Sequence, residues 1–325
     1  MASPNSTFTE LVTTTLRNHP KTIYDNVSNH NAFMRRLMER NNYDTLAGGT
    51  EIVQNLEYAE NSTYQRYSGY DTLNQQASDV FSAANFAWRN MAINVTASGD
   101  VIRMNSGSTT QIADLVKARI KNAITSFGNG FAEDLYSDGT STGQINGLQA
   151  LVADAGTGTV GGINSSTYTW WKNIVQSAAA PLQGGGAITP SSTTIESLML
   201  HLWLALTRGT DSPDLILASN DYYAFFETSQ TSIKRYADSK LADAGFTALK
   251  YKSADVVHDS SASGMPSAHM YFLNTKYLRL KVHKDANMTQ LAERTPTNQD
   301  AVVIPIIMMG NLTVANRALQ GVLKA

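Results

Sequence analysis

Apolar residues recur along this chain with two periods, and the places where the period changes divide it. The clearest helical run opens at Ser108. Ile112, Val116, Ile120, Ile124, Phe127, Phe131 and Leu135 follow at spacings of four and three. That spacing lays one apolar stripe along one helix face and leaves Asp114, Lys117 and Lys121 off it. Ser108 with Gln111 three residues on makes a capping box. A helix over residues 108–137 is therefore predicted, roughly 40–45 Å long at 1.5 Å per residue. Gly128 and Gly130 lie inside it, each costing about 0.8–1 kcal/mol relative to alanine. Such glycines serve either close packing against a strand or a bend in a long spine, and they are the candidate spine-helix bend.

Period two marks strands. "TEIVQNLEY" puts Ile52, Gln54, Leu56 and Tyr58 on one side, and "FAWRNMAINVTASGDVIRM" alternates Met91, Ile93 and Val95. Between them Tyr64, Tyr67 and Tyr70 stand among few aliphatic residues. A long hairpin ribbon is predicted, and a two-stranded ribbon is marginal alone in water. It is expected to lie on something outside its own domain. The preceding residues read as an arm with two short helices, "TELVTTTLRNH" and "NAFMRRLMERN". The second carries Phe33, Leu37 and Met38 on one face, which leaves Arg35, Arg36 and Arg40 mostly on the solvated side, facing water or a neighbouring molecule.

After the long helix the chain turns glycine- and serine-rich. Trp170 and Trp171 are adjacent. An extended backbone would send them to opposite sides, one into a core and one to an interface. Residues 184–186 are three glycines, a flexible link. A compact α/β unit is predicted next. Thr193 and Glu196 suggest a capping box for a helix lined by Ile195, Leu198, Leu202 and Leu206 and ending near Gly209. "SPDLILASNDYYAFFE" reads as a strand over Leu215–Ala218 and a helix started by Asn220 or Asp221, and "MYFLNTKYLRLKVHKD" offers two more strands. The last segment, "AVVIPIIMMGNLTVANRALQGVL", returns to strand patterning, with a buried strand interrupted by Pro305. It is expected to complete a sheet shared with the earlier half.

The class is α+β, in five segments: an arm (1–47), a long hairpin ribbon (48–107), a long helix with a glycine-rich segment (108–192), a compact α/β unit (193–295), and a returning strand segment (296–325). The 325 residues suffice for about two domains. Zero cysteines excludes disulfides and thiolate metal sites. Charged residues make up 16% of the chain, against about 25% in typical proteins, and the formal charge is −2. A surface so weakly charged repels its own copies little, and no basic domain grips nucleic acid. No signal segment and no membrane-spanning run is read. The Asn-x-Ser/Thr triplets at Asn61, Asn94 and Asn311 are taken as chance matches in a Ser/Thr-rich chain.

Candidate chemistry is sparse. Gly156-x-Gly158-x-x-Gly161 matches the dinucleotide fingerprint, but poor helix formers follow it, so no helix N-terminus awaits a pyrophosphate. A cytosolic enzyme using the Gly156–Gly161 loop is the distant alternative. His19, His30, His201, His258, His269 and His283 show no zinc-protease spacing. His258-Asp259 beside Ser260 and Ser261 lacks a nucleophile elbow. No catalytic, metal or cofactor residue is assigned.

The order of these segments resembles the major capsid protein of tailed bacteriophages, the Hong Kong 97-like fold; the resemblance makes 1–47 its N-terminal arm, 48–107 its extended loop, 108–192 its spine helix and peripheral domain, 193–295 its axial domain and 296–325 the closing strand of the peripheral domain. "GQINGLQALVADAGTGTVGGINSSTYTWWKN" is similar to that family's segment after the spine helix, "SPDLILASNDYYAFFE" to the entry of its axial domain, and "AVVIPIIMMGNLTVANRALQGVL" to its closing strand. The resemblance implies a non-enzymatic subunit that self-assembles into hexamers and pentamers of an icosahedral virion shell. Such a shell is built in the bacterial host's cytoplasm and encloses double-stranded DNA without sequence-specific binding. It implies a scaffolding protein acting in trans, a portal and a cement or decoration protein as partners. Inter-subunit contacts are expected at Tyr64, Arg66, Tyr67 and Tyr70 of the ribbon, at Arg35 and Arg36 of the arm, and at Trp171. The family's lysine–asparagine weld is not expected, because no lysine occurs between Thr22 and Val116. An encapsulin-like bacterial compartment is the close variant.

Overall fold

A computed structural model describes residues 32–99, 109–185, 188–230, 249–292 and 294–325, the side chains of 97, 109–119 and 262 excepted. The first arm helix, His19, His30, Ser108 and the far end of the ribbon lie outside the described residues.

The arm enters as α1 (Ala32–Glu39), whose Ala32, Phe33, Met34 and Leu37 are buried. Of its arginines Arg36 is drawn inward, contrary to expectation, while Arg40 just beyond the helix stays exposed. Arg36 lies 2.7 Å from the buried carboxylate of Asp255, Arg40 lies 3.0 Å from Asp214, and Arg35 pairs with Glu39 one turn on. Local periodicity could not show this, because both aspartates arrive from about 200 residues away.

Strands β1 (Tyr43–Leu46), β2 (Ile52–Glu57), β3 (Phe81–Phe86) and β4 (Arg89–Ser98) follow. The ribbon is narrower than predicted. β2 pairs with β3, Ile52 opposite Phe86, while β4 leaves the ribbon. The chain turns at Ala87, whose carbonyl accepts from Asn311 Nδ2 at 2.8 Å. Ten-residue β4 thereby meets the fourteen-residue closing strand along its whole length, a longer ladder than six-residue β2 could offer.

The spine is α2 (Thr109–Tyr136), and the predicted stripe is buried from Ile120 through Ile124, Phe127, Phe131 and Leu135. This face is covered by the subunit itself. Tyr136 closes the helix by donating to Asp259 Oδ2 at 2.8 Å. After the single turn α3 (Leu148–Leu151), β5 (Thr159–Val160) and β6 (Ile163–Asn164) form a tight hairpin. Its two central residues are Gly161 and Gly162, at φ +60° and +77°. Both are left-handed, as the favoured two-residue hairpin turn requires. A Cβ on Gly161 would lie 2.7 Å from Ala84 Cβ. The hairpin therefore presses on β3, where Asn85 N–H donates to Gly161 O at 2.9 Å. A single 3-10 turn, Thr169–Trp171, follows instead of a helix. The glycines are turn and packing residues, not a phosphate cradle.

Next come β7 (Ile174–Gln176), α4 (Ile195–Leu206), β8 (Leu215–Ala218), α5 (Asn220–Ser229), β9 (Leu249–Tyr251), β10 (Ala254–His258), β11 (His269–Leu273), β12 (Leu278–His283), β13 (Thr289–Gln290), β14 (Ala301–Val314) and β15 (Gly321–Lys324). The predicted capping box of α4 is not formed. Thr194 takes the cap position, its hydroxyl engaged by Ser191 N–H and Thr189 O, and Glu196 instead accepts from Gln230. The helix stops at Leu206, before Gly209.

Two sheets organise the described residues. One runs β1-β12-β14-β13 with β4 also on β14, and the other β7-β15-β11-β8-β10-β9. Their strands cross the segment boundaries read from sequence. β1 of the arm lies parallel to β12, while β7 and β15, from before and after the axial segment in sequence, add side by side to one edge of its sheet. The closing segment is thus two strands with two destinations. β14 completes a sheet with β4 from the earlier half, as expected. β15 sits between β7 and β11 in the axial sheet rather than in the peripheral domain. Pairing partners, not chain order, decide membership.

Candidate inter-subunit surface

Beyond the β2–β3 ladder the ribbon runs on through residues 58–80 without regular strand pairing. Side chains brace it instead. Gln65 donates to Thr72 O at 3.1 Å and accepts from Asn74 N–H at 3.1 Å, bridging the two limbs, and Ser68 N–H donates to Asp71 at 2.8 Å. Outside this polar brace Tyr64, Arg66, Tyr67, Tyr70 and Leu73 are exposed. On the ladder, Ile52, Leu56, Ala84 and Phe86 face inward and are buried, while Val53 and Phe81 are exposed on the outer face. The subunit therefore supports the base of the ribbon and leaves its tip uncovered. These exposed apolar groups, held in a braced loop, make the candidate contact surface.

At the ribbon's base an aromatic cluster borders a groove of about 850 Å³. Tyr58 stacks on Trp170 with ring centroids 5.3 Å apart, and Tyr168 lies 6.3 Å from the same indole. Pro181, Leu182 and Arg208 line the groove across from them. Trp171 is not at the surface. It is buried, and its indole N–H donates to Val160 O at 2.9 Å. The tryptophans sit on a 3-10 turn, not an extended strand, so their rings meet edge to face at 5.6 Å instead of pointing apart. The half-exposed residue, and the contact candidate, is Trp170.

Arg317 fixes this region from inside. It is fully buried, yet no carboxylate pairs with it among the described residues. Its guanidinium donates to Leu151 O at 2.7 Å, Ser165 Oγ at 3.0 Å, Trp171 O at 3.4 Å and Thr157 O at 3.5 Å. Burial pushes its pKa down to about 10. The planar donor fork ties α3, the glycine loop and the tryptophan turn together. Its partners lie about 150 residues upstream, so nothing in the local sequence marks it.

Of the remaining candidates, Arg35 and Arg36 are engaged within the subunit, as described above. Gly130 has no heavy atom within 4 Å of where a Cβ would stand, so close packing does not explain it. His258 lies against the Tyr223 ring at 5.0 Å, and Asp259 serves Tyr136, so the two form no triad with Ser260 or Ser261. Among the described residues no group of three His, Asp or Glu side chains could hold a metal ion. No described helix is long and apolar enough to cross a membrane.

No family model and no curated protein matches the sequence. Solved structures do. A chain of the cyanophage A-1(L) capsid asymmetric unit aligns over 87% of this chain and 90% of its own, with a TM-score of 0.59 and 18% identity. This is the Hong Kong 97-like capsid fold. A chain from the capsid of an empty GTA particle aligns over 88% of each chain, with a TM-score of 0.54 and 11% identity. The SrpI encapsulin of Synechococcus elongatus aligns over 89% of this chain and 86% of its own, also at 0.54 and 11%. The Hong Kong 97-like fold thus survives here at identities where sequence comparison alone finds nothing, because burial pattern and strand pairing persist when side chains do not.

Proposed function

We propose that this protein is the major capsid protein of a tailed bacteriophage, self-assembling into an icosahedral shell around double-stranded DNA. The carrying observation is the ribbon tip: an internally braced loop in a capsid fold that presents Tyr64, Tyr67, Tyr70 and Leu73 to solvent. A free-standing globular protein gains nothing from that arrangement, whereas a repeating shell covers each tip with the next copy. Permanent interfaces of this kind bury about 2,000 Å² or more. The low charge is consistent with copies packing side by side and with DNA that is enclosed but not gripped. The role is structural, and no residue is assigned to catalysis. A scaffolding protein in trans, a portal and a cement protein complete the proposed partners. Gly128 and Gly130 are proposed to let the spine bend in an immature shell.

Electron microscopy of the expressed protein, with and without a co-expressed scaffold, tests this reading. Shells, sheets or tubes are expected, and only small monodisperse particles would refute it. The likeness to an encapsulin keeps one variant in view. Shells that enclose a co-encoded enzyme would favour that compartment, and a portal-bearing, DNA-filled shell would favour the phage.

A further inference from the structure

His269 is the first residue of β11 and stands directly opposite Lys324 of β15. Its Nδ1 lies 2.7 Å from the carbonyl oxygen of Ser267, and its Nε2 lies 3.0 Å from Asp154 Oδ2. A carbonyl and a carboxylate both only accept, so both contacts are satisfied together only when the ring carries two protons. Lys324 Nζ reaches the same Oδ2 at 3.3 Å. The other carboxylate oxygen, Oδ1, is buried with no hydrogen-bond partner. Asp154 is thus a carboxylate held by two cations through one oxygen. It lies two residues before Gly156, at the head of the loop that carries the hairpin pressing on β3.

We infer that His269, Asp154 and Lys324 form a pH-sensitive clasp that fastens the glycine hairpin, and through it the base of the ribbon, to the axial sheet. Loss of the imidazole proton turns one of its two hydrogen bonds into a contact between lone pairs and removes the ring's positive charge from beside Asp154, leaving Lys324 as the one cation on that carboxylate. Burial opposes the charged ring, but the bonds to Asp154 and Ser267 outweigh it and hold the His269 pKa above 6.5. Burial likewise opposes the Asp154 carboxylate, and His269 with Lys324 outweighs it, holding that pKa below 3.8. The signs follow. The histidine's contribution is complete below about 6.5 and is lost as pH rises through its raised value. The aspartate's is complete above about 3.8 and is lost as pH falls through its lowered value. The clasp is tightest between those limits and loosens as pH rises through the raised His269 value. Among the described residues the other groups facing it are Tyr271, its ring 6.0 Å away along the strand, and Asp221 of α5, which accepts from Ala268 N–H at 3.0 Å. Tyr271 is kept neutral by burial and by Asp154. Arg317 still holds Thr157 and Ser165 after release, so the change is a local loosening.

The clasp belongs to the single subunit and does not depend on the proposed shell. Amide hydrogen exchange of the full chain, read by mass spectrometry at pH 6 and at a pH one to two units above the measured His269 pKa and corrected for intrinsic rates, tests it. Peptides spanning 153–165 are expected to exchange about tenfold faster at the higher pH, the loss expected for one charge-assisted hydrogen bond, while peptides of 120–136 do not change. His269→Gln is expected to abolish the step. Exchange at carbon-2 of the His269 ring in the unaltered protein gives its pKa directly and needs no variant to fold. A pKa below 6.5, a flat profile in the unaltered protein, or a step that persists in His269→Gln overturns the inference.

Discussion

Replacing the three tip tyrosines together, Tyr64→Ser, Tyr67→Ser and Tyr70→Ser, separates the ribbon's role in the subunit from its role between subunits. All three residues are largely or fully exposed. The isolated subunit therefore loses almost no packing, and its stability should change by less than about 0.5 kcal/mol, as for ordinary surface substitutions. Assembly is different. A tyrosine brings about 150–250 Å² to a contact. If a neighbour covers half of that at about 25 cal/mol per Å², each ring contributes about 2–3 kcal/mol. The triple variant then forfeits about 6 kcal/mol per subunit, some four powers of ten in concentration at 1.4 kcal/mol each. Light scattering against protein concentration reads the assembly threshold, and urea denaturation of dissociated subunits reads stability. Assembly at the unaltered threshold would refute the contact role. So would a subunit weakened by several kcal/mol, because the tip would then be packed against its own body.

Arg317→Met should destabilise the subunit by about 3 kcal/mol or more in urea denaturation, because it strands buried carbonyls at Leu151, Thr157 and Trp171; Arg317→Lys should recover only part of this, since an ammonium cannot span the same fork. Gly161→Ala should cost about 2 kcal/mol or more by the same assay, combining a left-handed backbone with the approach to Ala84. Gly162→Asn, with open space around it, should stay within about 1 kcal/mol. Gly130→Ala should stabilise the subunit by about 0.5–1 kcal/mol, because no atom obstructs the new methyl and the helix gains propensity. In shells the same variant should straighten the spine of the immature form, and equal spine curvature in immature and mature shells would contradict the proposed bend.

The fold was legible wherever a segment's own periodicity decided it. The stripe from Ile120 to Leu135 and the alternation of Ile52, Gln54 and Leu56 read correctly because burial on one face imposes one period, and the strand Leu215–Ala218, buried on both faces, read correctly as a short apolar run. What failed needed a partner's identity. β4 looked like the second limb of the ribbon until β14 offered it a longer ladder. Arg36 looked solvated until Asp255 arrived from β10. Trp171 looked extended, but the turn preceding it is set by backbone bonds from Thr167, Tyr168 and Trp171 N–H rather than by any apolar pattern. Of the candidate surface, the tyrosines announced themselves by scarcity of aliphatic neighbours. Tyr58, Trp170 and Arg317 did not, since their partners lie more than 100 residues away.

A cryo-electron microscopy map of the assembled protein at side-chain resolution bears most directly on the whole account. It should show the loop of residues 58–80 lying on an adjacent copy, with Tyr64, Tyr67 and Tyr70 covered there. A particle whose loops stand free in solvent, or fold back on their own subunits, would contradict it.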